Sequence, residues 1–225
     1  MIGLLGLGSH STLYYIEKLN HQYNCINGGY STCPLKLLNT NFDKINPYLP
    51  CEFEPLIPVV KKYIEDLNSL NVSKILIPNI TLFETIDQID FNTEILNKII
   101  HPIKIMRESL KHLNEKDVII LGSKYTMTSN YVSSFTPNKI SLLSEDEYLK
   151  IENIRNKVFH EGVSNDHVDY LVSISNKYYD KIIVIACSEL SIINSRLPIS
   201  KNKIDLVQLQ FEELIFKVNK GILKR

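Results

Sequence analysis

The sequence has no excess charge of either sign: in 225 residues, 25 Lys and Arg offset 25 Asp and Glu. That absence argues against a dedicated DNA-binding module or a polybasic membrane anchor, because both need a strong basic field. No apolar run approaches the roughly 18 residues that span a bilayer. The N-terminus also lacks the basic-then-apolar shape of a signal peptide. A cytoplasmic protein with no nucleic-acid or membrane partner is expected. Cysteine is scarce, and Cys25, Cys33, Cys51 and Cys187 show no CxxC spacing. Without an export pattern, a disulfide framework is not expected. The six histidines are scattered, and no His or Cys pair has metal-site spacing, so no metal is expected. A dinucleotide fingerprint is incomplete: Gly6-Leu7-Gly8-Ser9-His10-Ser11 lacks the third glycine. The next expected strand, Cys25 to Tyr30, ends in Gly28-Gly29-Tyr30, with no acid to hold a ribose.

What is present is the composition of a globular chain, 44% hydrophobic and 22% charged, long enough for one large or two small domains. Short β-branched or apolar runs alternate with amphipathic stretches, the pattern of a parallel sheet joined by crossover helices. Strands are expected over Met1 to Leu7, Lys74 to Asn79, Asp117 to Leu121 and Lys181 to Cys187. Leu56, Val59, Val60, Tyr63, Ile64 and Leu67 fall on one helical face, as do Val207, Phe211, Leu214, Ile215 and Val218. Further helices are expected near Ser11 to Tyr23, Ile103 to Asn114, Glu147 to His160 and Asp166 to Tyr179.

A weak internal repeat organises these elements. Leu4-Leu5-Gly6 returns as Ile120-Leu121-Gly122, and Ile75-Leu76-Ile77-Pro78-Asn79 returns as Ile183-Val184-Ile185-Ala186-Cys187. Similar βα units also arise by chance, but the order and spacing of these runs predict two pseudo-symmetric α/β domains, each a parallel sheet flanked by helices. Residues 1–97 with the C-terminal helix in 207–225 form one, and residues 98–206 form the other. A site is expected in the cleft between them, at the carboxyl ends of the strands around Gly6, Asn79, Gly122 and Cys187.

Cys187 is the cysteine best placed for chemistry. It follows an apolar strand and precedes Ser188-Glu189-Leu190, a segment able to open a helix. The positive end of a helix dipole there predicts a lowered thiol pKa, with neighbouring amides free to hold a carboxylate.

Three segments resemble the aspartate/glutamate racemase superfamily. Ile185-Ala186-Cys187-Ser188-Glu189-Leu190 is similar to that family's second-cysteine segment. Ile2-Gly3-Leu4-Leu5-Gly6-Leu7-Gly8-Ser9-His10-Ser11-Thr12 resembles its glycine-rich opening with one residue missing, and Leu121-Gly122-Ser123-Lys124-Tyr125-Thr126-Met127 resembles its third block. The resemblance implies a cofactor-independent, PLP-independent enzyme in which two cysteines flank a substrate α-carbon and move its proton. It also implies that amides and hydroxyls stabilise the carbanion-like intermediate. Gly8, Ser11, Thr81, Thr126, Ser188 and Glu189 are then the substrate-binding positions, and a homodimer is the common assembly.

The first-cysteine motif departs from the family. Aligned without a gap, Asn79 stands where the first thiol belongs and Thr81 keeps the family Thr; with a gap, Pro78 takes that position. A carboxamide does not shuttle protons at neutral pH. Asn79 is therefore read as a replaced catalytic residue or, equally, as a helix cap or turn residue. His10, in the loop after the first strand, is a candidate acid for the other face or a solvated loop histidine. Lys36, expected just beyond Cys33 and the second strand, and His160, before Gly162, are candidates for pairing with a distal substrate carboxylate, although residues of this kind are more often plain surface residues. The leading expectation is a racemase-type isomerase on aspartate, glutamate or a similar small carboxylate. The alternatives are a one-thiol decarboxylase or lyase on a malonate-like acid, and a catalytically inactive ligand-binding homologue.

Overall fold

The computed structural model describes residues 1–111, 113 and 116–217, without the side chains of residues 215–217. The chain divides into two compact units, Met1–Ile100 with the chain from Gln210, and His101–Leu209. Each is a parallel three-stranded sheet flanked by helices. Among the described residues no helix is long and apolar enough to cross a membrane.

The first unit contains β1 (Ile2–Gly6), α1 (Ser9–Asn27), β2 (Leu35–Asn39), α2 (Phe53–Ser69), β3 (Lys74–Leu76), α3 (Phe83–Ile86) and α4 (Thr93–Lys98). Its strand order is β2-β1-β3. β1 is central and buried along its whole length, which its unbroken apolar sequence requires of a strand covered on both faces. Helix α2 buries Leu56, Val60, Ile64 and Leu67, the positions that successive helical turns bring to one side.

The expected strand from Cys25 to Tyr30 does not form. Helix α1 continues to Asn27, and Gly28 and Gly29 then take positive φ values of 69° and 57°, a conformation open to glycine because it has no Cβ. The true second strand starts at Leu35. Cys33 therefore precedes β2 instead of following it, and Lys36 is the second residue of that strand. The strand expected over Lys74 to Asn79 ends at Leu76, leaving Asn79 in the following loop.

The second unit contains α5 (Pro102–Leu110), β4 (Val118–Gly122), α6 (Lys124–Thr128), α7 (Asn130–Ser133), α8 (Glu145–Glu161), α9 (Asn165–Lys177), β5 (Ile182–Ala186), α10 (Ser188–Asn194) and β6 (Lys203–Asp205). The strand order is β4-β5-β6. Helix α11 (Leu206–Lys217) opens here, and its residues from Gln210 belong to the first unit. The helix expected to reach Asn114 ends at Leu110; Asn114 itself lies outside the described residues, as do Val218 and the side chain of Ile215. Val207, Phe211 and Leu214 of the same expected face are buried.

Helix α8 starts in a capping box. The Ser144 hydroxyl accepts from the Glu147 N–H at 3.3 Å, and Glu147 Oε2 accepts from the Ser144 N–H at 2.9 Å. Each group satisfies a donor that a helix N-terminus otherwise leaves open. Glu147 also accepts from Lys177 Nζ (2.6 Å) and the Tyr178 hydroxyl (2.9 Å), which ties the start of α8 to the end of α9. Ile151, Ile154 and Val158 of α8 and Leu171 of α9 share one apolar cluster with Ile183, Cys187 and Leu190.

The sequence repeat corresponds to a common sheet plan. β1 pairs with β3 as β4 pairs with β5. Each sheet is extended by an isolated parallel bridge where the other has a full strand: Ile75 with Ile99 in the first unit, Val118 with Ile140 in the second.

Candidate active site

In the second unit the carboxyl ends of β4 and β5 lie side by side, with Gly122 in register with Ala186. A Cβ on Gly122 would stand 3.0 Å from the Ala186 carbonyl oxygen and 3.0 Å from Thr126 Cβ. Only glycine lets the two strand ends and the turn into α6 approach this closely. Ser123 caps that turn: its hydroxyl accepts from the Thr126 N–H at 3.1 Å and lies 2.8 Å from Thr126 Oγ1. Thr126 is buried.

Cys187 is the N-cap residue of α10, in extended conformation, and is only 6% exposed. Its thiol donates to Glu189 Oε2 at 2.9 Å, and the Ser188 hydroxyl donates to the same oxygen at 3.2 Å. Burial pushes the thiol pKa well up, the Glu189 carboxylate pushes it further, and the Arg155 guanidinium pulls the other way. The lowered pKa expected from the sequence is therefore overturned. A dipole from a helix of seven residues does not offset the loss of water around a buried anion beside a carboxylate. At neutral pH the resting sulfur is a thiol hydrogen-bonded to a carboxylate.

Arg155 and Glu152, not singled out from the sequence, complete this region. Glu152 accepts from the Lys124 N–H that opens α6 (2.7 Å) and holds the guanidinium through Arg155 Nε (3.2 Å) and Nη2 (2.5 Å). Burial works against the Arg155 charge, but Glu152, Cys187 and Glu189 together raise its pKa. An i,i+3 acid–base pair on a helix is readable in a sequence; what it faces is not. Thr126, Cys187, Ser188 and Glu189 thus follow the carboxyl ends of the paired strands β4 and β5. His160 does not join them: it is exposed in the last turn of α8, its ring edge-on to Phe159 at 5.1 Å.

In the first unit, Gly8 follows β1 and precedes α1, and His10 and Ser11 lie in the first turn of that helix, so His10 is not in the loop where it was expected. Gly8 is the N-cap of α1 without a side-chain cap, and the Ser11 hydroxyl donates to the Gly8 carbonyl at 3.3 Å. His10 is half-buried. Asn79 and Thr81 lie in the loop after β3, and Asn79 Oδ1 accepts from the Leu82 N–H at 3.0 Å. Asn79 is thus a turn cap leading into α3, one of the two roles read from the sequence. Lys36 is paired with Gly3, three residues short of the strand end at Gly6, and its ammonium donates to the Leu70 carbonyl. That places it away from the carboxyl end where a substrate contact was expected.

No protein-family model matches this chain, and no curated protein matches it by sequence. Similarity is found at the level of fold. A candidate Asp/Glu racemase from Yersinia pestis superposes with a TM-score of 0.76 at 14% identity, covering 97% of this chain and 98% of that one. An aspartate racemase homologue from Pyrococcus horikoshii gives 0.70 at 16% identity over 97% and 98%. The aspartate racemase of Picrophilus torridus gives 0.72 at 17% identity over 97% and 94%.

Proposed function

We propose that this protein is a racemase-type isomerase that moves the α-proton of aspartate, glutamate or a similar small carboxylate, with Cys187 as its one thiol acid/base. The observation that carries this reading is the hydrogen bond from the Cys187 thiol to Glu189 at the end of β5, the strand whose carboxyl end is in register with that of β4 before the buried Thr126. To act as a base, the thiol passes its proton to Glu189 Oε2, and the resulting thiolate takes the substrate α-proton. In the reverse sense the thiol delivers its proton to the carbanion and is reprotonated by Glu189. Thr126 and Ser188 are the proposed carboxylate contacts, and Arg155 the cation that offsets the negative charge around the thiolate. Asn79 is proposed to stand at the first-thiol position, with His10 as the second acid.

In D2O the protein should exchange the α-proton of L-aspartate or L-glutamate, read by NMR. No exchange with either substrate, together with a Cys187→Ala variant that leaves any measured turnover intact, removes the proposal. A second reading is favoured by the raised thiol pKa: a protonated thiol suits delivery of a single proton after CO2 loss from a malonate-like acid. Release of CO2 from methylmalonate without α-proton exchange of amino acids selects that reading.

A further inference from the structure

A groove of about 250 Å³ lies on the second unit between α8 and the first turn of α9. Its lining includes Lys150 and Lys157 of α8, Glu161 at the end of that helix, and Asp166 and His167 of α9. His167 is only 7% exposed. Its Nδ1 accepts from the Ser164 N–H at 3.2 Å, so the proton of the neutral ring sits on Nε2. That N–H has no acceptor among the described residues. Burial first, then Lys157, hold the ring neutral by lowering its pKa; Asp166 and Glu161 oppose this and Lys150 adds to it. Nε2 is not sealed from solvent, and His167 lines the groove, so this donor is open to a molecule bound there.

The charges around the groove are balanced. Two lysines and two carboxylates line it, and among the described residues Lys157, Glu161 and Asp166 form no ion pair. Lys150 lies 5.8 Å from the centre of the Tyr170 ring. A simple anion entering here meets Glu161 and Asp166, and a simple cation meets the two lysines. A small molecule carrying one charge of each sign satisfies both sets, and the space exceeds that of a single small zwitterion. We propose that this groove binds a free α-amino acid as its zwitterion, the carboxylate accepting from His167 Nε2–H and Lys157, the ammonium facing Glu161 and Asp166. The site does not depend on the reaction at Cys187.

The test is NMR of the whole protein labelled with ¹⁵N-histidine, the His167 signals being assigned by their loss in His167→Gln. L-Alanine should move the His167 Nε2 resonance saturably. Propionate and ethylammonium, which each keep one of its charges, should bind more weakly by a factor of roughly ten, a difference of one lost charge contact. Lys157→Glu and Glu161→Lys, both at exposed positions, should abolish the shift, which separates this groove from any amino-acid site at Cys187. No saturable shift with alanine, an equal response to propionate alone, or binding unchanged in both charge-reversal variants overturns the proposal.

Discussion

The loops after β3 and after β5 occupy the same place in two sheets of common plan, and they end in different chemistry. After β5, Cys187 opens α10 with a side chain that makes no cap bond, leaving its sulfur to Glu189. After β3, Asn79 spends its side-chain oxygen on the Leu82 N–H. One loop carries a titratable group under electrostatic control by Glu189 and Arg155; the other is closed by a carboxamide cap. Matching strands therefore supply position, and the residue after the strand decides whether that position can move a proton.

The largest effect that breaks this comparison is expected from Cys187→Ala. Removing an acid/base group costs on the order of 10²- to 10⁴-fold in rate, read as α-proton exchange, while the fold should persist. Asn79→Cys is the converse: with a thiol in the first loop, racemisation should rise, and an unchanged rate counts against the placement of Asn79 at the first-thiol position. The two strand-end glycines give the next effect. Gly122→Ala drives a Cβ against the Ala186 backbone carbonyl and should cost about 1–3 kcal/mol by urea unfolding. Gly6→Ala meets the Asn39 side chain at 2.5 Å and the Leu37 and Thr12 side chains at 3.1 Å; Asn39 is exposed and can swing away, and no backbone atom is struck, so a smaller cost of about 1 kcal/mol is expected. Asn79→Ala should cost about 1 kcal/mol through its lost cap, whereas Cys187 has no side-chain cap bond to lose.

The thiol itself can be read without turnover. Arg155→Met should move the pH dependence of Cys187 alkylation by iodoacetamide to higher pH, and Glu189→Gln should move it lower, because the two charges act on the sulfur with opposite sign. A shift in the same direction for both variants breaks the electrostatic account. The smallest effect is structural. Burial works to raise the Glu147 pKa, but bonds from Lys177, Ser144 and Tyr178 bring it from 4.5 down to about 2. A carboxylate held below its unfolded value adds stability above about pH 4.5 that is lost as pH falls towards about 2. Glu147→Gln should flatten that part of the stability profile, measured by urea unfolding across the acid range.

Much of the fold was legible because its signals are local. The apolar runs around Leu4, Ile120 and Val184 form central or paired strands, and Leu56, Val60, Ile64 and Leu67 reach the core at helical spacing. The segment from Cys25 to Tyr30 misled, because a short β-branched and aromatic run says nothing about the helix already passing through it. Among candidate site residues, the gathering of Thr126 with Cys187, Ser188 and Glu189 followed from strand ends and turn positions. Lys36 and His160 did not join a site, since the direction of a long side chain depends on neighbours distant in sequence. Arg155 was missed for the same reason.

The sequence by itself determined the parallel α/β plan, its repeat and the positions of Cys187 and Asn79 after matched strands, because hydrophobic periodicity and order along the chain suffice for these. Only the tertiary structure decided that the thiol is protonated and bonded to Glu189, that Arg155 acts on it, and that Asn79 is used as a cap. Those properties come from burial and from charges brought together across α8, β5 and α10, and desolvation and Coulomb energy depend on distances in space that no local pattern encodes.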